Sequence, residues 1–394
     1  ETQLAKVSMN AVKQRDIEAQ YNKRTIEELT KEAPNVNWSA YFAALGVKEI
    51  KDVIVGQPLF MKEMSKMYKS IPMNDWKTYF RWHLIDGASP FLSDEIVLQN
   101  FEFFEKILSG SKELKPRWKR SLEIVDGTMG EALGQIYVEK HFTGDSKKRI
   151  NEMVDNLTAA YSEHINQLDW MSDETKKMSQ TKLNKIIRKL GYPDKWKDYS
   201  KLEISRESYF KNVTNASEFA FQFNIDKFGK PVDKTEWGMS PPTVNAYYNP
   251  SVNEIVFPAG IMQPPFFDPQ ADDAVNYARI GAVIGHEITH GFDDQGSQFD
   301  ADGNLKDWWT ADDKKKFQEK TKIVIDQFNG FVAIDTMHVI GELTVGENIA
   351  DLGGFTIAFA ALQKSWAGKT KPANIDGFTP EQRFFLAGAQ MWQT

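Results

Sequence analysis

One short stretch, Gly285-His286-Glu287-Ile288-Thr289-His290, holds side chains that can do hydrolytic chemistry at a metal ion. Two histidines four residues apart on a helix lie one turn apart on one face, so both imidazoles can reach a single tetrahedral zinc. Glu287 sits beside them, where it can take a proton from a water on the metal. The flanking Ile280, Ala282, Val283 and Ile284 suit a buried helix, in which so polar a triplet is costly unless partnered. The bland alternative is a chance match on an ordinary helix, and these surroundings speak against it.

Zinc in a hydrolytic site needs a third protein ligand and one open position. A third histidine in the compact spacing would fall at position 296, which is Gly296. A glutamate about nineteen or twenty residues beyond the second histidine would fall at Trp309 or Thr310. The best remaining candidate is Glu347, with Asp351 one helical turn later. Glu347 can ligate the metal while Asp351 accepts the outer ring N–H of a ligand histidine and fixes its orientation. A solvated helix face is the competing reading. The segment Ile349-Ala350-Asp351-Leu352-Gly353-Gly354-Phe355 is too apolar and glycine-rich for a plain surface. Asp293 is a further candidate support for His290, or else a solvated loop acid.

These groups need elements to carry them. The pattern predicts a helix from about Asp272 to Phe292, another after a Thr310 cap, and a third from about Glu342 to Trp366. Val244 to Tyr248 and Glu254 to Phe257 read as two strands joined by the turn signal Asn249-Pro250-Ser251. Earlier, a helix opening after Ser172 is expected to carry Leu183, Ile186, Ile187 and Leu190 on one face and to stop at Gly191. Thr25 and Glu28 have capping-box spacing. Trp76, Tyr79, Phe80, Trp82, Phe101, Phe103 and Phe104 follow no sustained heptad and are expected to be core residues of packed helices. Phe384, Phe385 and Trp392, near the last residue of the chain, are expected to lack packing partners.

Composition narrows the chemistry. The 394 residues have no cysteine, which excludes disulfides, thiolate metal sites and a cysteine nucleophile, so any metal must sit on His, Asp or Glu. A net charge of -7 argues against nucleic acid as the main partner. No stretch approaches the ~20 apolar residues that span a bilayer. The chain opens with no signal-like apolar run and reads as a piece of something longer.

The chain resembles the neprilysin and endothelin-converting-enzyme family of zinc metallopeptidases, and among them the bacterial oligopeptidases. An ordered series carries the likeness: Gly134-Gln135-Ile136-Tyr137-Val138, Gly191-Tyr192-Pro193-Asp194-Lys195-Trp196, Val244-Asn245-Ala246-Tyr247-Tyr248, Ile255 to Ile261, Gln263-Pro264-Pro265-Phe266-Phe267, His286 to Asp294, and Gly346 to Asp351. The resemblance implies that Glu347 is the third ligand, Glu287 the general base, and Asp351 a residue beside the metal that acts as a proton donor. It also implies that Asn245 and Ala246 bind the substrate backbone. The family has a further C-terminal segment with a histidine that stabilises the transition state and an arginine that positions substrate. His83, His141, His164 and His338 match no family motif, and His338 is the first alternative donor to test.

The expected fold is mainly α with a small β component: a helical lid domain over residues 1–180 and a thermolysin-like zincin catalytic domain over 181–394. The expected protein is a monomeric zinc endopeptidase with one zinc per chain, acting on short peptides in the periplasm, in the extracellular space or at the cell envelope of a bacterium. The alternative is a zinc-binding protein without catalysis, a peptide-binding or adhesion module. An intact Glu287 argues against it.

Overall fold

Several helix starts in this chain are set by side chains that satisfy the otherwise unpaired first N–H groups. In the computed structural model, which describes residues 1–47, 49–142 and 144–393, Thr25, Ser172, Thr310 and Thr379 all cap helices. Thr25 and Glu28 form the complete reciprocal box expected of their spacing. The architecture is mainly α-helical with three small sheets among the described residues.

The chain divides into two compact units, each made of two stretches. One comprises Glu1–Met129 and Lys197–Asp233, the other Gly130–Trp196 and Lys234–Thr394. The helix Arg117–His141 leaves helical geometry at Met129, where the chain passes from one to the other. The first unit is helical, with one short antiparallel strand pair joining Lys23–Thr25 to Asp52–Ile54. Its later segment is held in part by Tyr209, whose ring meets Phe91 edge-on at 5.8 Å. Of the aromatics expected in its core, only Trp76 and Phe101 are fully buried. Phe80, Trp82, Phe103 and Phe104 are exposed, Trp82 and Phe103 because they lie round the helix from the buried Trp76 and Phe101. Trp76 stacks on Tyr68 and Phe80, at 4.7 and 5.8 Å.

The second unit is built round a three-stranded sheet. Glu254–Pro258 is central, pairing antiparallel with Tyr247–Asn249 and parallel with Ile187–Gly191. The last strand corrects the sequence reading. The helix opening after Ser172 ends at Asn184, and Ile187–Gly191 is extended. Leu183, Ile186, Ile187 and Leu190 fit a helical period by coincidence. Pairing with residues 254–258 outweighs that local pattern, as expected for a stretch with adjacent β-branched residues. Gly191 adopts φ +85° and marks a strand exit rather than a helix cap. The hairpin strand is also shorter than expected, and Val244 to Ala246 precede it.

Two helices pack on the sheet and a third packs on them. Asp273 to His290 runs as a helix with a π-turn at Tyr277–Gly281, and Gly341–Ser365 and Gly144–Gln167 pack beside it. Ile280, Ile284 and Ile288 are at most 1% exposed and point inward with Ile150, Leu157, Ile255, Phe257, Ile357 and Leu362. His286 and His290 lie two residues round from that stripe, on the opposite side of the helix. The final helix, Pro380–Met391, buries Phe384 completely against Phe355 and Phe359, contrary to expectation, while Phe385 and Trp392 are exposed. A capped amphipathic helix turns one face inward along its whole length, and Phe384 falls on that face with Ala387 and Met391.

Two helix starts are locked together. Asp313, 1% exposed, accepts from Ser172 N at 3.1 Å and Thr175 Oγ1 at 2.7 Å, and also from Ser172 Oγ. Burial alone would raise this carboxyl, but hydrogen bonds from Ser172, Thr175 and Thr310 outweigh it and hold its pKa down at about 2. A depressed carboxylate stabilises the fold at pH values above its unfolded pKa of about 3.9, and that contribution fades as pH falls towards about 2. Asp313→Asn should therefore lower stability at neutral pH by roughly 1–3 kcal/mol and remove part of the acid sensitivity below about pH 4. Denaturant melts of both proteins at pH 7 and pH 3 check this; an equal difference at the two pH values would contradict it.

Candidate metal centre

Glu347 can reach the two histidines because their helices touch almost backbone to backbone. A Cβ added at Gly354 would lie 2.6 Å from the carbonyl of Ala282 and 2.8 Å from His286 N. One added at Gly285 would lie 2.8 Å from Gly354 O, and one at Gly353 would lie 2.5 Å from Thr289 Oγ1. No side chain fits there. Glu347, Asp351 and Gly354 are spaced four and three residues apart, so they share the face that meets the histidine helix.

The three donors converge. His286 Nε2 lies 2.9 Å from His290 Nε2, and Glu347 Oε2 lies 3.3 and 3.6 Å from the same two nitrogens. Asp351 Oδ1 holds His286 Nδ1 at 2.8 Å, and Asp293 Oδ2 holds His290 Nδ1 at 2.7 Å. Each carboxylate accepts an Nδ1–H, which leaves lone pairs on both Nε2 atoms pointing at one another and at a third anionic donor. That arrangement repels itself unless a cation lies among the three. Two donors each ~2.0–2.1 Å from a tetrahedral zinc stand about 3.3 Å apart, which matches the edges of this triangle. The donor set fits such an ion, and among the described residues His286, His290 and Glu347 are the group able to hold one.

The electrostatics agree. Burial opposes charge on His286, but hydrogen bonds to Asp351 and Glu347 outweigh it and raise its pKa to about 9. His290 rises to about 10 for the same reason, with Asp293 and Glu347 as its partners. The two imidazoles hold Glu347 well below the usual carboxylate range. Positive charge is wanted here, whether it comes as protons or as a metal.

Glu287 behaves differently. It is 5% exposed, and burial pushes its carboxyl up to about 7, against the pull of His286 and His290. The backbone N–H of Tyr248 donates to it. A carboxyl poised near neutrality can both take and return a proton.

Some of the supporting groups escape sequence reasoning. Asp293 was legible as one of two options, and the hydrogen bond to His290 decides between them. Its other oxygen accepts from Gln295 N and Gly296 N at 2.9 and 2.6 Å, which fixes the turn after the helix. Lys182 gave no signal, yet it is 1% exposed and donates to the carbonyls of Gly296 and Phe299, both at 2.7 Å. Burial lowers its pKa to about 7, against the charges of Asp293 and Asp300. Asn253, in a left-handed conformation at φ 55°, donates to Lys182 O and Ala301 O and accepts from Tyr248 Oη at 2.9 Å. Asn245 precedes its strand, exposed, and its Oδ1 accepts from Ala246 N at 2.9 Å, while Ala246 is buried. His338 lies on an exposed strand pair and bonds Asn329 O, outside the cluster.

Profiles of Peptidase family M13 match residues 1–193 and 245–394. The chain belongs to Peptidase family M13. The M13 resemblance extends to curated members over the whole chain. It is 34% identical over 406 residues to endothelin-converting enzyme 1 of Rattus norvegicus, covering 53% of that protein. It is 36% identical over 421 residues to neprilysin-2 of Drosophila melanogaster, covering 54%. Among solved structures, Mycobacterium tuberculosis zinc metalloprotease Zmp1 with an inhibitor superposes at TM-score 0.95 with 46% identity, covering 100% of this chain and 60% of that one. PepO from Lactobacillus rhamnosis HN001 gives TM-score 0.87 with 28% identity, covering 99% and 60%. The chain therefore spans about half the length of the curated M13 relatives it matches.

If the glycine seam sets the donor spacing, Gly354→Ala should weaken retention of a divalent metal by about ten- to a hundredfold, comparable to loss of an orienting partner. It should also lower stability by roughly 1–3 kcal/mol through overpacking. Gly127→Ala, where an added Cβ meets nothing within 4 Å, is the matched control. Metal content by mass spectrometry after dialysis decides it, and unchanged retention in Gly354→Ala would show that the helices can part without cost to the site.

Proposed function

We propose that this chain is the metal-binding part of a zinc endopeptidase that hydrolyses internal bonds of short peptides. The observation that carries the reading is the convergence of His286, His290 and Glu347 with a buried Glu287 one residue along the same helix. His286, His290 and Glu347 would hold the zinc, which when bound supplies Lewis-acid activation of water and of the scissile carbonyl. Glu287 accepts the proton of the attacking water and hands it to the amide nitrogen as the C–N bond breaks. Its burial, which resists a fixed charge, suits a group that must both take and return the proton, and the Tyr248 N–H steadies the carboxylate between the two transfers. Asp351 and Asp293 keep the two rings in the tautomer that leaves Nε2 free. The 2.8 Å contact with His286 supports this orienting role for Asp351 over direct proton donation.

Asn245 and Ala246 would bind the backbone of an extended substrate. Their position just before the edge strand Tyr247–Asn249 supports this, since an unpaired edge accepts a peptide as an added strand. We assign the chemistry to residues 181–394, which hold the entire cluster, and control of access to a helical lid within residues 1–180, of which 130–180 fold into the same compact unit as the cluster. No helix among the described residues is long and apolar enough to cross a membrane. The likeness to Zmp1 of Mycobacterium tuberculosis and PepO of Lactobacillus rhamnosis supports a bacterial enzyme, for which we propose a monomer acting in the periplasm, at the cell envelope or outside the cell. A zinc-binding protein without catalysis is the competing reading, and it gives no reason for a buried glutamate poised near neutrality.

Glu287→Gln should keep its metal and lose ~10²–10⁴-fold in cleavage of a quenched fluorescent peptide, an activity that a chelator should also abolish. Near-normal turnover of the metal-loaded variant would remove Glu287 from the mechanism. Asn245→Ala should raise KM or lower kcat with unchanged metal content. Identical kinetics across several peptides would leave Asn245 a structural turn residue.

A further inference from the structure

The strand Ile187–Gly191 pairs on one side only. In a parallel ladder, alternate residues turn their backbone groups to opposite sides. Ile187 N–H bonds inward, to Asn253 O at 2.9 Å, so Arg188 turns its N–H and C=O outward. That free edge opens into a cleft of about 650 Å³, which belongs wholly to the second unit and is separate from the metal cluster.

The cleft is basic in a chain that is net acidic, at -7. Six cationic side chains line it against the single acid Asp194. Two of the six are already matched, Lys189 to Glu254 at 2.7 Å and Arg188 to Asp155. Lys147, Lys148, Lys195 and Lys234 remain, and among the described residues none of the four has an ion-pair partner, so four ammonium groups face one carboxylate of the lining. Tyr192 supplies an aromatic wall, with Lys147 Nζ over its ring at 4.9 Å.

We propose that this cleft binds an acidic peptide segment in extended form, added as a strand beside Ile187–Gly191. An extended strand presents alternate side chains to one face, so acidic residues at every second position would meet the lysines while the backbone bonds Arg188. A volume of this size holds a short segment. The two observations are independent of each other. The edge asks for an extended backbone and the lysines ask for negative charge, and an acidic peptide satisfies both. The site is distinct from the proposed catalytic one, and its test needs no turnover.

The test is fluorescence anisotropy of a labelled Glu-Val-Glu-Val-Glu peptide at low salt, in the Glu287→Gln background so that no cleavage intervenes. Two comparisons follow: replacement of Lys147, Lys148, Lys195 and Lys234 by Gln, and methylation of alternate backbone nitrogens in the peptide. Each should weaken binding at least about tenfold, and the affinity should fall as salt rises. Three of these lysines are exposed and Lys147 is half-buried, and matched thermal melts verify that the variants fold. Unchanged affinity in the Gln variant overturns the proposal. So does equal binding of the methylated peptide, or equally tight binding of inorganic polyphosphate, either of which would mean the strand edge plays no part.

Discussion

Two helices in the second unit approach so closely that their glycines leave no room for a methyl group between them. The other features of the site depend on that distance. A glutamate side chain spans only a few bonds, so Glu347 can meet Nε2 of both histidines only if its helix lies against theirs. Gly285 and Gly354 make that possible, and Gly353 lets Thr289 fill the remaining space. The same contact buries the apolar stripes of both helices, which ties metal geometry to the hydrophobic core.

What the helices bring together is mutually repulsive. Glu287, Glu347, Asp351 and Asp293 crowd round two imidazoles, and burial raises the cost of every charge. The site resolves this unevenly. Glu347 stays ionised because two rings bond to it, whereas Glu287, buried and without a cationic hydrogen-bond partner, is pushed towards neutrality. Two carboxyl groups in one pocket thus acquire different tasks from their surroundings alone. Lys182 extends the pattern below the site, where its ammonium ties down the carbonyls of the turn that carries Asp293.

How much of this could be read from the sequence follows from the range of the interactions. The placing of His286, Glu287 and His290 is set by helical periodicity, which is local, and Glu347 followed by elimination and by its glycine-rich neighbourhood. The helices carrying them ran close to their expected limits for the same reason. Asp293 was only half legible, since a loop acid after a helix looks alike whether solvated or bonded. Ile187–Gly191 was misread because its pairing partner lies more than sixty residues away in sequence. Lys182 was invisible: nothing in a lysine's neighbours along the chain announces that tertiary structure will bury it among carbonyls. Phe384 shows the same limit, since burial depends on what packs from elsewhere.

The π-turn at Tyr277–Gly281 has a consequence for how this helix tolerates change. Its first turn is moored by Asp272 to Arg383 and by Asp273 to Arg149, at 3.0 and 3.2 Å, while its last turn is moored by the histidines. A π-turn carries one residue more than an α-turn, and one residue is about 100° of helical rotation. The extra residue lets both moorings hold at once, each with its own angular requirement. Single-residue insertions and deletions in this segment are therefore not equivalent to those in a loop. They would dial the histidines round the helix axis like the hand of a clock, and only one setting faces Glu347.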